Sequence, residues 1–169
     1  MEATPPLPAI RWPGLSPERS FVLPLPATRM TAPFGGICEI DDIRLKRKTE
    51  FHVTVLNREM VRAAVAGMGE DLLRALYGSL TWAPRRSGRY VLLHEARTAD
   101  ASALDCWSLI EPLQLPAMHA FRGALAHRID PSFADLVPHV THYVHGDPNG
   151  IGVPDTRALA ALRVRDVAP

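Results

Sequence analysis

The sequence predicts a mixed α+β domain, and three observations lead to this fold class. Alternating runs rich in β-branched residues, Phe51–Leu56 and Val137–Val144, are typical of strands. Apolar residues at spacings of three and four across Leu115–Ile129 are typical of an amphipathic helix. The 169 residues are 47% hydrophobic and 22% charged, which is enough for one folded core and excludes a wholly disordered or fibrous chain.

Composition also limits the classes of function. Lys and Arg total 19 and Asp and Glu total 18, so a net charge of +1 provides no overall basic field for nucleic-acid binding. The apolar runs are shorter than the roughly 18 residues of a membrane helix, and Met1–Pro5 lacks the features of a secretory signal. Cys38 and Cys106 lack CxxC spacing, so we expect free thiols. We therefore expect a cytoplasmic protein without a membrane partner.

Residues 1–34 are predicted to form a proline-rich N-terminal arm. Half of the 16 prolines lie in this segment, a density that excludes a helix or a central strand. Within the arm, Ser20–Leu23 is predicted as a short edge strand, and Trp12 is expected to pin the arm onto the body. A wrapped arm is favoured over an exposed polyproline ligand tail.

A single domain is predicted over residues 35–169. After the strand Phe51–Leu56, Asn57 is expected to cap a helical stretch that extends to Leu76, with a break at the glycines of residues 67–69. The later elements follow from strand-type runs and helix-type spacings. They are strands at Thr81–Trp82, Arg89–His94, Leu104–Ile110 and Val137–Val144, and helices at Leu115–Ile129 and Thr156–Leu162.

The tripeptide His-Val-Thr occurs twice, each time in a predicted strand. It comprises residues 52–54 and residues 139–141. Because residues i and i+2 of a strand point to the same face, each histidine is expected to share a face with the threonine of its tripeptide. The same parity places Tyr143 beside the second tripeptide, where it would contact substrate or simply pack.

Two imidazoles and two hydroxyls suit metal-independent cleavage of a phosphodiester. An imidazole titrates near neutral pH, so one histidine can accept a proton while the other donates one. His52 and His139 are the candidate catalytic residues. Thr54 and Thr141 are the candidate phosphate-binding residues, since their hydroxyls can hydrogen-bond the non-bridging oxygens. We expect neither a cofactor nor a metal.

With these two tripeptides the chain resembles the two-histidine (2H) phosphoesterases, including the LigT-like RNA 2′,3′-cyclic phosphodiesterases. The resemblance implies a bilobal fold of two antiparallel sheets with outer helices, related by a pseudo-twofold axis. It implies substrates such as 2′,3′-cyclic phosphates, 2′-5′ oligoadenylates or ADP-ribose cyclic phosphate. It also implies that His52 protonates the leaving ribose oxygen and that His139 activates the attacking water. The chain departs from the family at His142, where relatives carry an apolar residue.

Basic and histidine-rich segments near the tripeptides leave further alternatives open. Lys48 would share the face of His52 and contact substrate if its segment is extended, and otherwise lies in a solvated turn. His139, His142 and His145 are rich in potential metal ligands, but strand parity sends His142 to the opposite face, which disfavours a metal site.

The sequence therefore predicts a cyclic phosphodiesterase that acts on an RNA terminus or on a small nucleotide with a cyclic phosphate. A monomer is expected. One alternative is a non-catalytic 2H-like domain that binds an RNA end or a nucleotide. Another is an interaction module with a proline-rich ligand arm, which would bind no phosphate.

Overall fold

The computed structural model describes residues 5–99 and 102–169. Within these ranges the chain forms two antiparallel sheets and four α-helices, which confirms the α+β fold class. The strands are β1 (Phe21–Leu25), β2 (Ile37–Ile40), β3 (Ile43–Arg47), β4 (Phe51–Leu56), β5 (Arg85–Arg86), β6 (Tyr90–Ala99), β7 (Ser102–Gln114), β8 (His139–His145) and β9 (Arg163–Val167). The helices are α1 (Arg58–Met68), α2 (Glu70–Gly78), α3 (Pro116–Arg128) and α4 (Thr156–Leu162).

The two sheets differ in size. Strands β1 and β4 form a two-stranded sheet, and the other strands form a seven-stranded sheet. The order of the larger sheet is β2-β3-β8-β7-β6-β9, and the short β5 pairs with β7. The two strands that carry the His-Val-Thr tripeptides therefore belong to different sheets, and β8 is an inner strand between β3 and β7.

The link between β3 and β4 opens a gap beside β8. Strand β3 runs antiparallel to β8, with Arg47 opposite Tyr143. One residue later the amide of Lys48 donates to the carbonyl of His142 at 2.8 Å, and the ladder ends. Strand β4 then contacts β8, but it forms its backbone ladder with β1. The gap between β4 and β8 is where the two tripeptides face each other.

The largest hydrophobic cluster joins the small sheet to helices α1, α2 and α3. Several of its buried members come from the proline-rich segment, namely Leu7, Phe21, Leu23, Leu25 and Met30. Trp12 packs against both Phe21 and Tyr77, with ring centroids 5.1 Å apart in each pair. The described part of the arm, residues 5–34, therefore lies against the body and supplies a strand to it.

The predicted strand Thr81–Trp82 is wrong, because its backbone bonds to the arm instead of to a sheet. The carbonyl of Trp82 accepts from the amide of Ile10 at 2.8 Å, and the carbonyl of Pro84 accepts from the amide of Leu7 at 2.7 Å. These bonds satisfy the backbone of a segment that would otherwise need a strand partner.

The helices follow the sequence pattern closely. Asn57 caps α1, since its side-chain oxygen accepts the amide of Met60 at 2.9 Å. Gly69 separates α1 from α2 with a φ of 77°, a conformation that glycine adopts without steric cost. Pro116 begins α3, whose 13 residues make it the longest of the described helices. No described helix is long and apolar enough to cross a membrane.

Candidate active site

The two His-Val-Thr tripeptides line a single cavity of about 430 Å³. On β4 the buried positions alternate with His52 and Thr54, and on β8 the fully buried Val140 separates His139 from Thr141. The four polar side chains therefore face the same cavity, in agreement with strand parity. The volume lies within the range of small-molecule sites.

The two tripeptides lie head to tail across the cavity. Arg47 of β3 pairs with Tyr143 and the amide of Lys48 donates to the carbonyl of His142, so a continuation of this antiparallel course into β4 brings His52 towards Thr141 and Thr54 towards His139. A small recess beside the main cavity is lined by both His52 and Thr141, in agreement with this order. A phosphate held between the strands would meet one imidazole and one hydroxyl on each side.

His139 has a fixed tautomer. Its Nδ1–H donates to the carbonyl of Val137 at 2.7 Å, which leaves the Nε2 lone pair free to accept a proton. Burial lowers the pKa of His139 below its ordinary value of 6.5, and the charge of His52 lowers it further, against the bond to Val137. At neutral pH this side chain is therefore an unprotonated imidazole, as a general base must be.

His52 is the more exposed of the two histidines. Burial lowers its pKa from 6.5, the ammonium group of Lys48 lowers it further, and the carboxylate of Glu50 opposes both. Because both pKa values are lowered and a charge on His52 lowers that of His139 further, the pair takes up its first proton below pH 6.5 and its second at still lower pH.

Lys48 lies at the rim of the site. It lines the recess beside His52, and its Nζ donates to the carbonyls of Pro148 and Asn149 at 3.1 and 3.4 Å. These bonds connect the β3–β4 link to the loop that follows β8. The structure thus brings Lys48 to the rim, with its charge next to the cavity mouth.

The structure places Tyr143 away from the cavity, because a β-bulge interrupts the alternation of β8. Thr141 pairs with Ile110 while Tyr143 pairs with Leu109, so His142 is an extra residue on β8. Tyr143 is fully buried, and its hydroxyl donates to the carbonyl of Gly35 at 2.7 Å. The bulge turns Tyr143 away from the face of Thr141, which removes it from the candidate substrate contacts.

His142 belongs to a buried polar cluster behind the cavity wall. Its Nε2 lies 2.9 Å from Oε2 of Glu111, which also pairs with Nη2 of Arg86 at 2.8 Å. Arg86 donates in turn to the hydroxyl of Tyr90 at 3.0 Å. The side chains of His142 and Glu111 are both fully buried, and Nδ1 of His142 has no partner. A lone acidic residue inside the apolar run of β7 was the signal in the sequence.

The three histidines of β8 do not converge on a metal. His139 faces the cavity, His142 faces Glu111, and Nδ1 of His145 lies 3.0 Å from the carbonyl of Arg44. Across residues 5–99 and 102–169, no group of three or more His, Cys, Asp or Glu side chains is arranged to hold a metal ion.

The cavity has further walls that the sequence analysis did not identify. Arg122 of α3 is 3% exposed and lines the cavity together with Met118, one helical turn away. An arginine within the apolar stripe of α3 was the signal that could have revealed it. The other additional lining residues are Ser20, Val55, Asn57, Met60, Val137, Asn149, Gly150, Ile151, Gly152, Val153 and Pro154.

No family model, curated protein or solved structure matches the chain. The resemblance to the 2H phosphoesterases therefore rests on the two tripeptides. A function for this protein has to be argued from the chemistry of the cavity itself.

Proposed function

We propose that this protein is a metal-independent phosphodiesterase that acts on a 2′,3′-cyclic phosphate or a 2′-5′ linkage of a nucleotide or an RNA end. The observation that carries the proposal is that two identical His-Val-Thr tripeptides, from two different sheets, face each other across one small-molecule cavity. The cavity supplies two imidazoles that can carry protons and two hydroxyl donors, and these are the groups that such a reaction requires.

The reaction starts with the phosphate between the two strands. The hydroxyls of Thr54 and Thr141 donate to its non-bridging oxygens and stabilise the charge that accumulates there. Nε2 of His139 takes a proton from water as the water oxygen forms a bond to phosphorus. The bond from phosphorus to the leaving ribose oxygen breaks, and protonated His52 gives that oxygen its proton. The product is a phosphomonoester, and transfer of a proton from His139 to His52 restores the starting state.

The finer features of the 2H fold belong to the same proposal. The head-to-tail order of the tripeptides supports two lobes related by a pseudo-twofold axis, as in LigT-like enzymes. Because one chain supplies both tripeptides, the site is complete in a monomer. Both cysteines are free and buried, which is compatible with the reducing cytoplasm.

The proposal is tested by incubating the protein in EDTA with nucleoside 2′,3′-cyclic phosphates, 2′-5′ adenylates and ADP-ribose cyclic phosphate. We expect at least one to yield a monoester at the same rate with and without the chelator. His52→Ala and His139→Ala should each lower turnover by about 10²- to 10⁴-fold, the usual contribution of acid–base catalysis. Thr54→Ala and Thr141→Ala should cost about 10- to 1,000-fold, because each removes one donor.

The matched control is His127→Ala, which removes an exposed histidine of α3 that does not line the cavity and should keep full activity. Loss of activity in EDTA with recovery on adding a divalent ion would replace this mechanism with a metal-dependent one. Tight binding of a nucleotide without turnover would instead identify a binding domain.

A further inference from the structure

Arg122 is a buried cation at the wall of the proposed active site. It lies on α3, is 3% exposed, and lines the same cavity as the two His-Val-Thr tripeptides. A charged side chain is rarely buried this deeply without an ionic partner, because removing it from water costs several kcal/mol. Its surroundings therefore indicate what the cavity is built to receive.

The guanidinium is held in place by neutral acceptors. Its Nε donates to the carbonyl of Phe133 at 2.7 Å, and its Nη2 donates to the carbonyl of Asp135 at 2.9 Å. Among the ion pairs of the described residues, none includes Arg122. The geometry is thus fixed while the positive charge has no carboxylate in direct contact.

The nearby acidic groups are occupied elsewhere. The carboxylates of Asp135 and Asp155 attract Arg122 from a distance and oppose the effect of burial on its pKa. Asp135 accepts the amide of Thr156 at 3.1 Å, and Asp155 accepts the amide of Ala158 at 2.7 Å. Each carboxylate accepts a backbone amide at or near the start of α4, so neither forms a direct ion pair with Arg122.

Arg122 belongs to one end of the cavity, which we call the distal end and define by Asn57, Met60, Met118, Arg122 and Val137. Asn57 follows β4 beyond Thr54, and Val137 precedes β8 before His139. Along the chain, Asn57 thus lies on the far side of Thr54 from His52, and Val137 lies on the far side of His139 from Thr141. Arg122 donates to carbonyls of the segment just before Val137. The distal end is therefore next to the proposed phosphate position and separate from it.

The chemistry of the distal end combines one cation with apolar walls. Met60, Met118 and Val137 provide apolar surface, and the amide oxygen of Asn57 is already used by the cap of α1. A buried guanidinium binds a phosphate more strongly than an exposed one does, because fewer water molecules compete with its donors and its planar donors match the phosphate oxygens.

We propose that the distal end binds a second phosphate of the substrate, with Arg122 as a specificity-determining residue. The inference rests on the proposed phosphodiesterase function and narrows its substrate class. The substrate carries a 5′-phosphate group in addition to the scissile cyclic phosphate. That group can be the 5′-monoester of a mononucleotide or the last internucleotide phosphate of an RNA end.

The test compares three substrates in EDTA: adenosine 2′,3′-cyclic phosphate, the same compound with a 5′-phosphate, and a dinucleotide that ends in a 2′,3′-cyclic phosphate. Wild type should show a kcat/KM about 10- to 100-fold higher with the 5′-phosphate, mainly through KM, as expected for one charge-assisted contact. A similar gain with the dinucleotide assigns the distal end to RNA ends, and no gain assigns it to mononucleotides.

Arg122→Met should reduce the preference for the 5′-phosphate to about one, and Arg122→Lys should retain part of it. The preference is a ratio measured within one protein sample, so a partly unfolded variant does not distort it. A purely structural arginine would lower both rates equally and leave the ratio unchanged, which would overturn the inference.

Measurements on the wild-type protein alone also test the distal phosphate site if the variants fail to fold. Equal kcat/KM for the compounds with and without a 5′-phosphate would refute the distal phosphate site while leaving the phosphodiesterase intact. Hydrolysis of none of these substrates, or of the substrates in the screen above, would refute the phosphodiesterase itself.

Discussion

The bond between His139 and the carbonyl of Val137 separates the roles of the two histidines. It places the proton of the neutral ring on Nδ1, so Nε2 can only accept. Within residues 5–99 and 102–169 the ring of His52 makes no such hydrogen bond, and His52 is the more exposed of the two. Under the proposed function, this difference assigns the base to His139 and the acid to His52.

A good leaving group should distinguish the acid from the base. A phosphodiester with a p-nitrophenol-like leaving group needs no proton as it departs, so it should partly restore turnover in His52→Ala. The same substrate still needs an activated water, so His139→Ala should not recover. Equal recovery of both variants, or recovery of His139→Ala alone, would reverse the assignment.

The pH profile of kcat/KM should be bell-shaped, with its maximum below pH 6.5. Both histidines have pKa values lowered chiefly by burial, so the state with one proton on the pair is most populated on the acid side of 6.5. The alkaline limb follows loss of the proton from His52. Lys48 lowers the pKa of His52 and Glu50 raises it.

Two charge variants should shift the alkaline limb of this pH profile in opposite directions. Lys48→Met should move the alkaline limb to higher pH, and Glu50→Gln should move it to lower pH. The measurement is kcat/KM across pH at constant ionic strength. Movement of the alkaline limb in the same direction in both variants would show that His52 is not the group being titrated.

At the scale of single residues, strand parity predicted the four side chains of the two tripeptides and failed at Tyr143. Parity assumes an uninterrupted ladder, and the extra residue His142 breaks it. Arg122 was missed for a different reason, since helical periodicity identifies the apolar stripe but not which polar residue within it is buried beside a cavity.

The bulge of β8 is held by the buried cluster behind it. His142, Glu111 and Arg86 connect β8, β7 and β5 through bonds of 2.8 to 2.9 Å. Removing Arg86 or Glu111 would leave an uncompensated buried charge beside the bulge, so we expect the cluster to stabilise the register in which Thr141 faces the cavity. His142 thus has a structural role in this element.

The turn that follows β8 depends on Gly146. Its φ is 85°, and an added Cβ would lie 2.3 Å from the carbonyl oxygen of Asp105. We expect Gly146→Ala to lower the free energy of unfolding by about 2 kcal/mol or more, because the residue combines backbone strain with a clash against backbone. Urea denaturation followed by circular dichroism measures the loss.

The control for this turn is Gly123→Ala on the exposed side of α3. An added Cβ meets nothing within 4 Å there, and the helix should gain about 0.5–1 kcal/mol. Activity should fall with Gly146→Ala, since the loop after this turn supplies Asn149 and Ile151 to the cavity wall. An unchanged unfolding midpoint in Gly146→Ala would contradict the strained geometry.

At the scale of elements, the sequence predicted α4 with its observed bounds and α3 to within a residue at each end. It ended β7 at Ile110, short of the observed Gln114, and it ended β6 at His94, because beyond His94 this strand carries charged residues in a long hairpin. Such solvated ribbons lack the apolar alternation on which strand prediction depends.

The arm should be required for the whole molecule to fold. Leu23 of β1 is fully buried in the main core, so Leu23→Ala should cost about 2–5 kcal/mol, a large share of the stability of a domain this size. Deletion of residues 1–34 should leave no cooperative unfolding transition. Leu72→Ala, at a leucine that is 53% exposed, is the control and should change stability by less than about 0.5 kcal/mol. A chain of residues 35–169 that unfolds cooperatively would contradict this expectation.

At the scale of the whole molecule, the sequence predicted the mixture of strands and helices but not which strands pair. The pairing of β1 with β4 joins Phe21 to Leu56 and Leu25 to Phe51 across the prolines of the arm. Proline density indicated irregular structure outside a short edge strand at Ser20–Leu23, and it concealed the continuation of that strand through Pro24 to the buried Leu25. Long-range pairing of this kind is decided by the shape of the core, which a local pattern does not contain.

The gap between β4 and β8 also determines what controls the distance between the two tripeptides. Since the described backbone forms no ladder across it, the spacing of the two imidazoles is set by how side chains fill the interior beneath β4. One added or removed methylene in that interior would shift one tripeptide against the other, and displacements of about 1 Å can change a rate by about 10²-fold. The packing of buried side chains, which no substrate contacts, thus determines the distance between the two imidazoles.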